Sequence, residues 1–126
     1  MKTETVGDAT VETWTPDEVW DAYSKGEIVL IDVRTPQEYM FEHIEGALLL
    51  PMPFFQADKL PSQQGKRIVI YCGSGARSGK VANGCAEKGV QPVTHMEGGF
   101  GAWKQSGKPY VGTDMSTGAP KRVAGK

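Results

Sequence analysis

Two threonine-proline pairs, Thr15-Pro16-Asp17-Glu18 and Thr35-Pro36-Gln37-Glu38, bracket the continuous apolar run Ile28-Val29-Leu30-Ile31-Asp32-Val33. Each pair reads as a capping box. The threonine side chain caps a helix N-terminus, proline fits the first turn, and glutamate reaches back to the cap. After the first box, Val19, Trp20 and Tyr23 form an apolar stripe at helical spacing, which Gly26 closes. The run from Ile28 has no polar alternation, so it predicts a strand covered on both faces, as in a parallel sheet. Few architectures accept helix, buried strand, helix at this spacing, and the parallel α/β class is the main one.

The rest of the chain repeats the alternation. Ala47-Leu48-Leu49-Leu50 is a short run stopped by Pro51, and a short helix is expected from Phe54 to Leu60. Arg67 to Tyr71 predicts a strong strand. Ser78 to Lys88 predicts a helix with Val81, Ala82, Cys85 and Ala86 on one face. Gly79 and Gly84 weaken that helix by about 1 kcal/mol each, and close approach to the sheet is the expected compensation. Val93 to Met96 makes a fourth strand, and Gly98-Gly99 turns the chain into a last helix through Trp103. A fifth strand is expected before the first capping box or near Pro109 to Val111. From Gly112 onward almost nothing is apolar, so residues 112–126, with Lys121, Arg122 and Lys126, read as a polar, mobile tail behind one domain at 1–111.

The formal net charge of −1 argues against nucleic acid or an anionic membrane as a partner. No apolar window is long enough for a transmembrane helix, and the first residues lack a signal-peptide core. Only Cys72 and Cys85 are present, so a disulfide framework is not expected and a reducing cytoplasm is the default compartment. No histidine or cysteine has zinc-site spacing, and neither a metal nor an organic cofactor is expected. His43 is assigned a structural hydrogen bond. Phe54 and Phe55 are read as packing residues first and pocket-lining residues second. With no leftover apolar stripe, a monomer is the default and a homodimer is left open.

Residues 68–78, Ile-Val-Ile-Tyr-Cys-Gly-Ser-Gly-Ala-Arg-Ser, carry the chemistry. Strand, Cys72, glycine-rich loop and helix follow in order, which sets the thiol at a helix N-terminus. Unpaired N–H groups and the helix dipole there favour an anion, and the thiolate is the reactive form of cysteine. An exposed nucleophile is therefore expected at Cys72. The N–H groups of Gly73, Ser74, Gly75, Ala76, Arg77 and Ser78 are expected to circle its sulfur, with Gly73 and Gly75 letting the backbone curl. Arg77 either contacts an anionic substrate or clamps the loop onto a carboxylate. Asp32 is a candidate acceptor of loop hydrogen bonds. Cys85 lies too far along the helix to pair with Cys72.

Four separated segments resemble the rhodanese (sulfurtransferase) family: Ile31-Asp32-Val33-Arg34 with Glu38-Tyr39, His43-Ile44-Glu45-Gly46-Ala47, the loop Cys72 to Ser78, and Gly98-Gly99-Phe100 with Trp103. Glu42 and Leu49 depart from the family's usual glycine and polar residue. The resemblance implies a rhodanese-like α/β domain with a mostly parallel central sheet of about five strands and helices on both faces. It implies Cys72 as the sulfur-carrying residue, with Asp32 and Arg34 in support. It further implies transfer of a sulfane sulfur from thiosulfate, or a persulfide donor, through a Cys72 persulfide to cyanide or a thiol. Thioredoxin-like proteins are acceptors by resemblance only.

Two alternatives stand beside this reading: a sulfur carrier with little turnover, and a cysteine phosphatase or arsenate reductase. The phosphatase and reductase families place one more residue between cysteine and arginine than the four found here, and the tighter loop suits one sulfur atom. Gly73-Ser74-Gly75 resembles mercaptopyruvate-type loops, whereas Arg77-Ser78 resembles single-domain thiosulfate-type loops. Room for one domain favours thiosulfate.

Overall fold

The run from Ile28 does become a buried strand in the interior of a sheet, and the elements around it follow the alternation. The computed structural model describes residues 1–124. In chain order these form β1 (Lys2–Val6), β2 (Ala9–Trp14), α1 (Pro16–Ser24), β3 (Ile28–Asp32), α2 (Pro36–Phe41) and β4 (Leu48–Leu49). They continue with β5 (Arg67–Tyr71), α3 (Ala76–Glu87), β6 (Val93–Met96), α4 (Gly99–Gln105), β7 (Tyr110–Thr113) and β8 (Pro120–Val123). The short helix expected from Phe54 is instead two 3-10 turns, Met52–Phe54 and Ala57–Lys59.

The main sheet runs β1-β2-β6-β5-β3-β4. Every pairing in it is parallel except the edge pair of β1 with β2. The expected fifth parallel strand is β2, ahead of the first capping box. One face buries Val11, Ile31, Ile70 and Val93 under Val81, Ala82, Cys85 and Ala86 of α3. The other buries Leu30, Val69 and Met96 under Val19 and Ala22 of α1 and Phe100 and Trp103 of α4. The strands stay apolar on both sides because helices cover both. Both capping boxes form, with Thr15 and Thr35 each accepting from the N–H of a glutamate three residues on.

The polar tail expected from residue 112 contains strand structure that the sequence did not announce. Residues 110–123 form an antiparallel hairpin, β7 with β8. Val111 also exchanges backbone hydrogen bonds with His43, at 2.9 and 2.8 Å. The hairpin carries little apolar alternation, and what fixes it is backbone pairing to another part of the chain. Lys126 and the residue before it lie outside the described residues.

The two glycines of α3 differ. A Cβ at Gly79 would touch His95 Cε1 at 3.6 Å, so that residue sits close to the sheet as expected. A Cβ at Gly84 would meet nothing within 4 Å. It borders a cavity of about 230 Å³ beside Cys85 and Phe55, so its flexibility has no packing compensation. Gly84→Ala is therefore expected to stabilise the fold by about 0.5–1 kcal/mol, read as a higher urea midpoint at unchanged slope.

Candidate active site

Strands of one parallel sheet present their carboxyl ends along one edge, where α/β sites form. Cys72 directly follows β5 at that edge, and the loop after it leads into α3. Gly75, at φ +102°, is the N-cap of α3 and needs the left-handed backbone that glycine supplies. Gly73 serves differently from the expectation. Its φ is ordinary, but a Cβ there would lie 3.2 Å from Arg77 Nη2, so its small size makes room for the arginine.

The loop brings donors onto the sulfur. The Gly75 N–H donates to Cys72 Sγ at 3.0 Å, and Ser78 Oγ lies 3.6 Å from it. Burial pushes the thiol pKa up, but hydrogen bonds from Ser78, Ser74 and Gly75 outweigh it and leave the thiol below its ordinary value. Cys85 has no such donors, and burial alone raises its thiol to about 11. Both cysteines are free. The lowering is thus local to Cys72.

The expected exposure of Cys72 is corrected: its accessible surface is 0%. Its side chain belongs to the core cluster that α3 covers, and the backbone of the loop is interlocked with α4. Phe100 N–H donates to the Cys72 carbonyl at 2.7 Å, and Gly101 N–H to the Gly73 carbonyl at 3.0 Å. Gly99, at φ +59°, has its Cα so close that a Cβ would press on the Cys72 carbonyl oxygen and stand 2.7 Å from the Gly73 carbonyl carbon. The loop is held down over its own sulfur, with Ser74 and Ala76 as its exposed residues.

Arg77 takes the clamp role of the two considered. Its guanidinium forms a bidentate pair with Glu38 of α2, Nη1 to Oε1 at 2.7 Å and Nη2 to Oε2 at 3.0 Å. Hydrogen bonding to Arg77, with help from the Thr35 N–H and against some desolvation, holds the Glu38 carboxyl at about 2. Asp32 is corrected. It supports Arg34 rather than the loop, accepting from the Arg34 N–H at 2.9 Å and from Nε and Nη2 at 3.0 and 2.8 Å. The side chain two residues ahead reaches the carboxylate first. Arg34 in turn donates to the Glu42 carbonyl at 2.6 Å and stacks over the Phe100 ring, Cζ to centroid 4.7 Å. The buried pair fastens α4 and the end of α2 to the sheet.

Four residues of this site were not read from the sequence as partners of the loop. Glu38 was legible as a capping residue and as part of a family-like segment, yet the same carboxylate serves both Thr35 and Arg77. The Gly98-Gly99 pair was legible as a turn and as part of a family-like segment, not as a contact of the Cys72 backbone. His95 of β6 reaches Ser78 Oγ through Nδ1 at 3.1 Å. His43 has the structural bond expected of it, Nδ1 to the Tyr39 carbonyl at 2.7 Å, and stacks on the Tyr39 ring. Phe55 packs against the core, whereas Phe54 is 74% exposed beside Arg77, Pro36 and Met52. Among the described residues, no group of three or more His, Cys, Asp or Glu is placed to hold a metal ion. No helix among them is long and apolar enough to cross a membrane.

Comparison with known proteins adds four findings. The family model for the Rhodanese-like domain matches residues 15–106. An uncharacterized protein of Synechocystis, slr1261, is 43% identical over 86 residues, covering 68% of this chain and 48% of that protein, so the chain spans about half the length of this relative. Thiosulfate sulfurtransferase GlpE of Coxiella burnetii is 37% identical over 87 residues, 69% of this chain and 81% of GlpE. A solved structure from Rhodopseudomonas palustris, of unknown function and described as a possible tyrosine phosphatase, superposes with a TM-score of 0.64 at 29% identity, covering 75% of this chain and 80% of that one.

Two outcomes follow from the charge geometry. The Glu38–Arg77 pair lowers a carboxyl, so its stabilisation is full above the ordinary carboxyl value near 4.5 and fades as pH falls toward about 2. Glu38→Gln is expected to flatten that acid-side loss in urea melts run across the window. Arg34→Ala strands the buried Asp32 charge and is expected to cost about 3–5 kcal/mol, measured by chemical unfolding at neutral pH.

Proposed function

The chain belongs to the rhodanese-like domain family, and from that footing we propose that it is a sulfurtransferase using thiosulfate as donor and Cys72 as carrier. The observation that carries the reading is the convergence of donors on one sulfur: the Gly75 N–H at 3.0 Å, with Ser78 beside it, on a thiol held below its ordinary pKa. An anion-favouring cup around a cysteine suits a persulfide, which is also a sulfur anion.

The chemistry balances without a cofactor. Cys72 thiolate attacks the outer sulfur of thiosulfate, a new S–S bond forms, and the old one breaks with its electron pair leaving on sulfite. The terminal sulfur of the persulfide then passes to cyanide as thiocyanate, or to a thiol as a new persulfide, returning the Cys72 thiolate. Splitting the transfer into two displacements is the advantage of a covalent carrier. Because Cys72 is covered, the first displacement requires its side chain or the Ser74–Ala76 edge of the loop to swing outward. Small thiols and thioredoxin-like proteins are the proposed acceptors, in a reducing compartment such as the cytoplasm.

The resemblance to a possible tyrosine phosphatase raises phosphoryl chemistry as a rival. Two features weigh against it. Only four residues separate Cys72 from Arg77, and the Arg77 guanidinium is already engaged by both oxygens of Glu38. Sulfur as the substrate atom asks for a smaller cradle than a tetrahedral oxyanion.

The test is an intact mass after incubation with thiosulfate. A gain of one sulfur, about 32 Da, is expected in the unsubstituted chain and in Cys85→Ser, and is expected to vanish in Cys72→Ser. A chain that takes up no sulfur, yet hydrolyses an aryl phosphate through Cys72, would establish the rival.

A further inference from the structure

Ser78 does more than face the sulfur. Its hydroxyl lies between Cys72 Sγ at 3.6 Å and His95 Nδ1 at 3.1 Å, and the far ring nitrogen, Nε2, lies 3.1 Å from Thr13 Oγ1. Thr13 and His95 are register partners on neighbouring parallel strands, so the ring is anchored by the sheet itself. The four side chains come from β2, β6, the end of β5 and α3, and they form one unbroken line from sulfur to sheet. Ser78 is fully buried, which keeps bulk water from competing for its hydroxyl.

We propose that Ser78 and His95 form a proton relay that takes the Cys72 proton and so prepares the thiolate. The step rests on the sulfur-transfer reading only in making Cys72 the nucleophile. In the resting thiol, S–H donates to Ser78 Oγ and the Ser78 hydroxyl donates to Nδ1. Nε2–H donates to Thr13, which fixes the tautomer. The S–H bond breaks as Ser78 gains that proton, and Ser78 releases its own proton to Nδ1. A thiolate and an imidazolium result, with no change in total charge. The proton that Ser78 has gained already lies along the line to the sulfur, so the hydroxyl now donates to the thiolate.

The surroundings act on this transfer in both senses. Burial lowers the His95 pKa, which keeps the resting ring neutral and opposes the imidazolium, while Glu4 of β1 favours the charged form; the thiolate formed beside it is the counter-charge that offsets burial. From the remaining elements, β2 presents the neutral Thr13, α3 presents Ser78 and Gly79, and β5 sets Ile70 beside His95 in the sheet. Besides Glu4, the titrating group in line with the ring is Cys72 itself, so the two titrate as a pair. One competitor exists within the loop: Ser78 Oγ also lies 3.3 Å from the Gly75 carbonyl, an alternative acceptor for its proton.

The test is the pH profile of Cys72 alkylation by iodoacetamide in a full-length Cys85→Ser chain. With His95→Gln added, the rate at about pH 6 is expected to fall roughly tenfold and to converge with the parent by about pH 9, as for a thiol pKa one unit higher. A purely structural role predicts a uniform drop or none, and superimposable profiles overturn the relay. Should His95→Gln fail to fold, the imidazole titration of His95 is followed by NMR in the Cys85→Ser chain before and after Cys72 is alkylated. The midpoint is expected to move down once the thiolate is lost, and an unmoved midpoint overturns the relay. Alkylation needs no sulfur donor. A chain that fails to gain sulfur from thiosulfate but keeps the His95-dependent profile therefore sinks the transfer reading alone.

Discussion

The seating of α4 on the backbone of Cys72 and Gly73 governs the reactive edge. Two N–H groups at the start of that helix meet the two carbonyls that leave β5, and Gly99 has no side chain because there is no space for one. This contact decides which way the loop can curl. With the carbonyls drawn toward α4, the N–H side of the following peptides is left to face the sulfur. The short helix is itself held by Arg34, whose guanidinium lies over Phe100 while Asp32 neutralises it. A buried charge pair is poor as a source of net stability. Here it has a geometric task, tying the start of α4 and the end of α2 to the end of β3.

Charge around the loop is sorted into separate compartments. Arg77 is neutralised by Glu38 at the half-exposed outer side of the loop, while Cys72 is surrounded by hydroxyl and amide donors on the inner side. A free guanidinium beside the sulfur would favour any oxyanion. A paired one leaves the sulfur facing neutral hydroxyl and amide donors. His95 adds a base on the inner side, reached through a hydroxyl rather than by direct contact.

Much of this was legible from residue order. β3, β5 and β6 announce themselves as apolar runs, and α1 and α2 by capping boxes whose hydrogen bonds all form. The loop was legible because it is contiguous, so one strand-turn-helix reading supplied both the nucleophile and its donors. What stayed hidden involves partners brought together by sheet order. Glu38 is 39 residues from Arg77, and Thr13 is 82 from His95, and no local pattern states that they meet. The C-terminal hairpin was hidden for a related reason. Polar Lys121 and Arg122 suggested solvated chain, but strand pairing needs backbone partners, not apolar side chains.

The two margins of the main sheet bear on how the protein behaves when crowded with its own copies. One margin is β1, five residues whose side chains alternate Lys, Thr, Glu, Thr and Val and are almost wholly exposed. The opposite margin is β4, only two residues long. A strand from another molecule would meet solvated charge on the first and run out of rungs on the second. Parallel sheets of this kind carry aggregation risk at their open sides. In this chain both sides are unsuited to nucleating fibrils, which leaves the reactive edge free of that constraint.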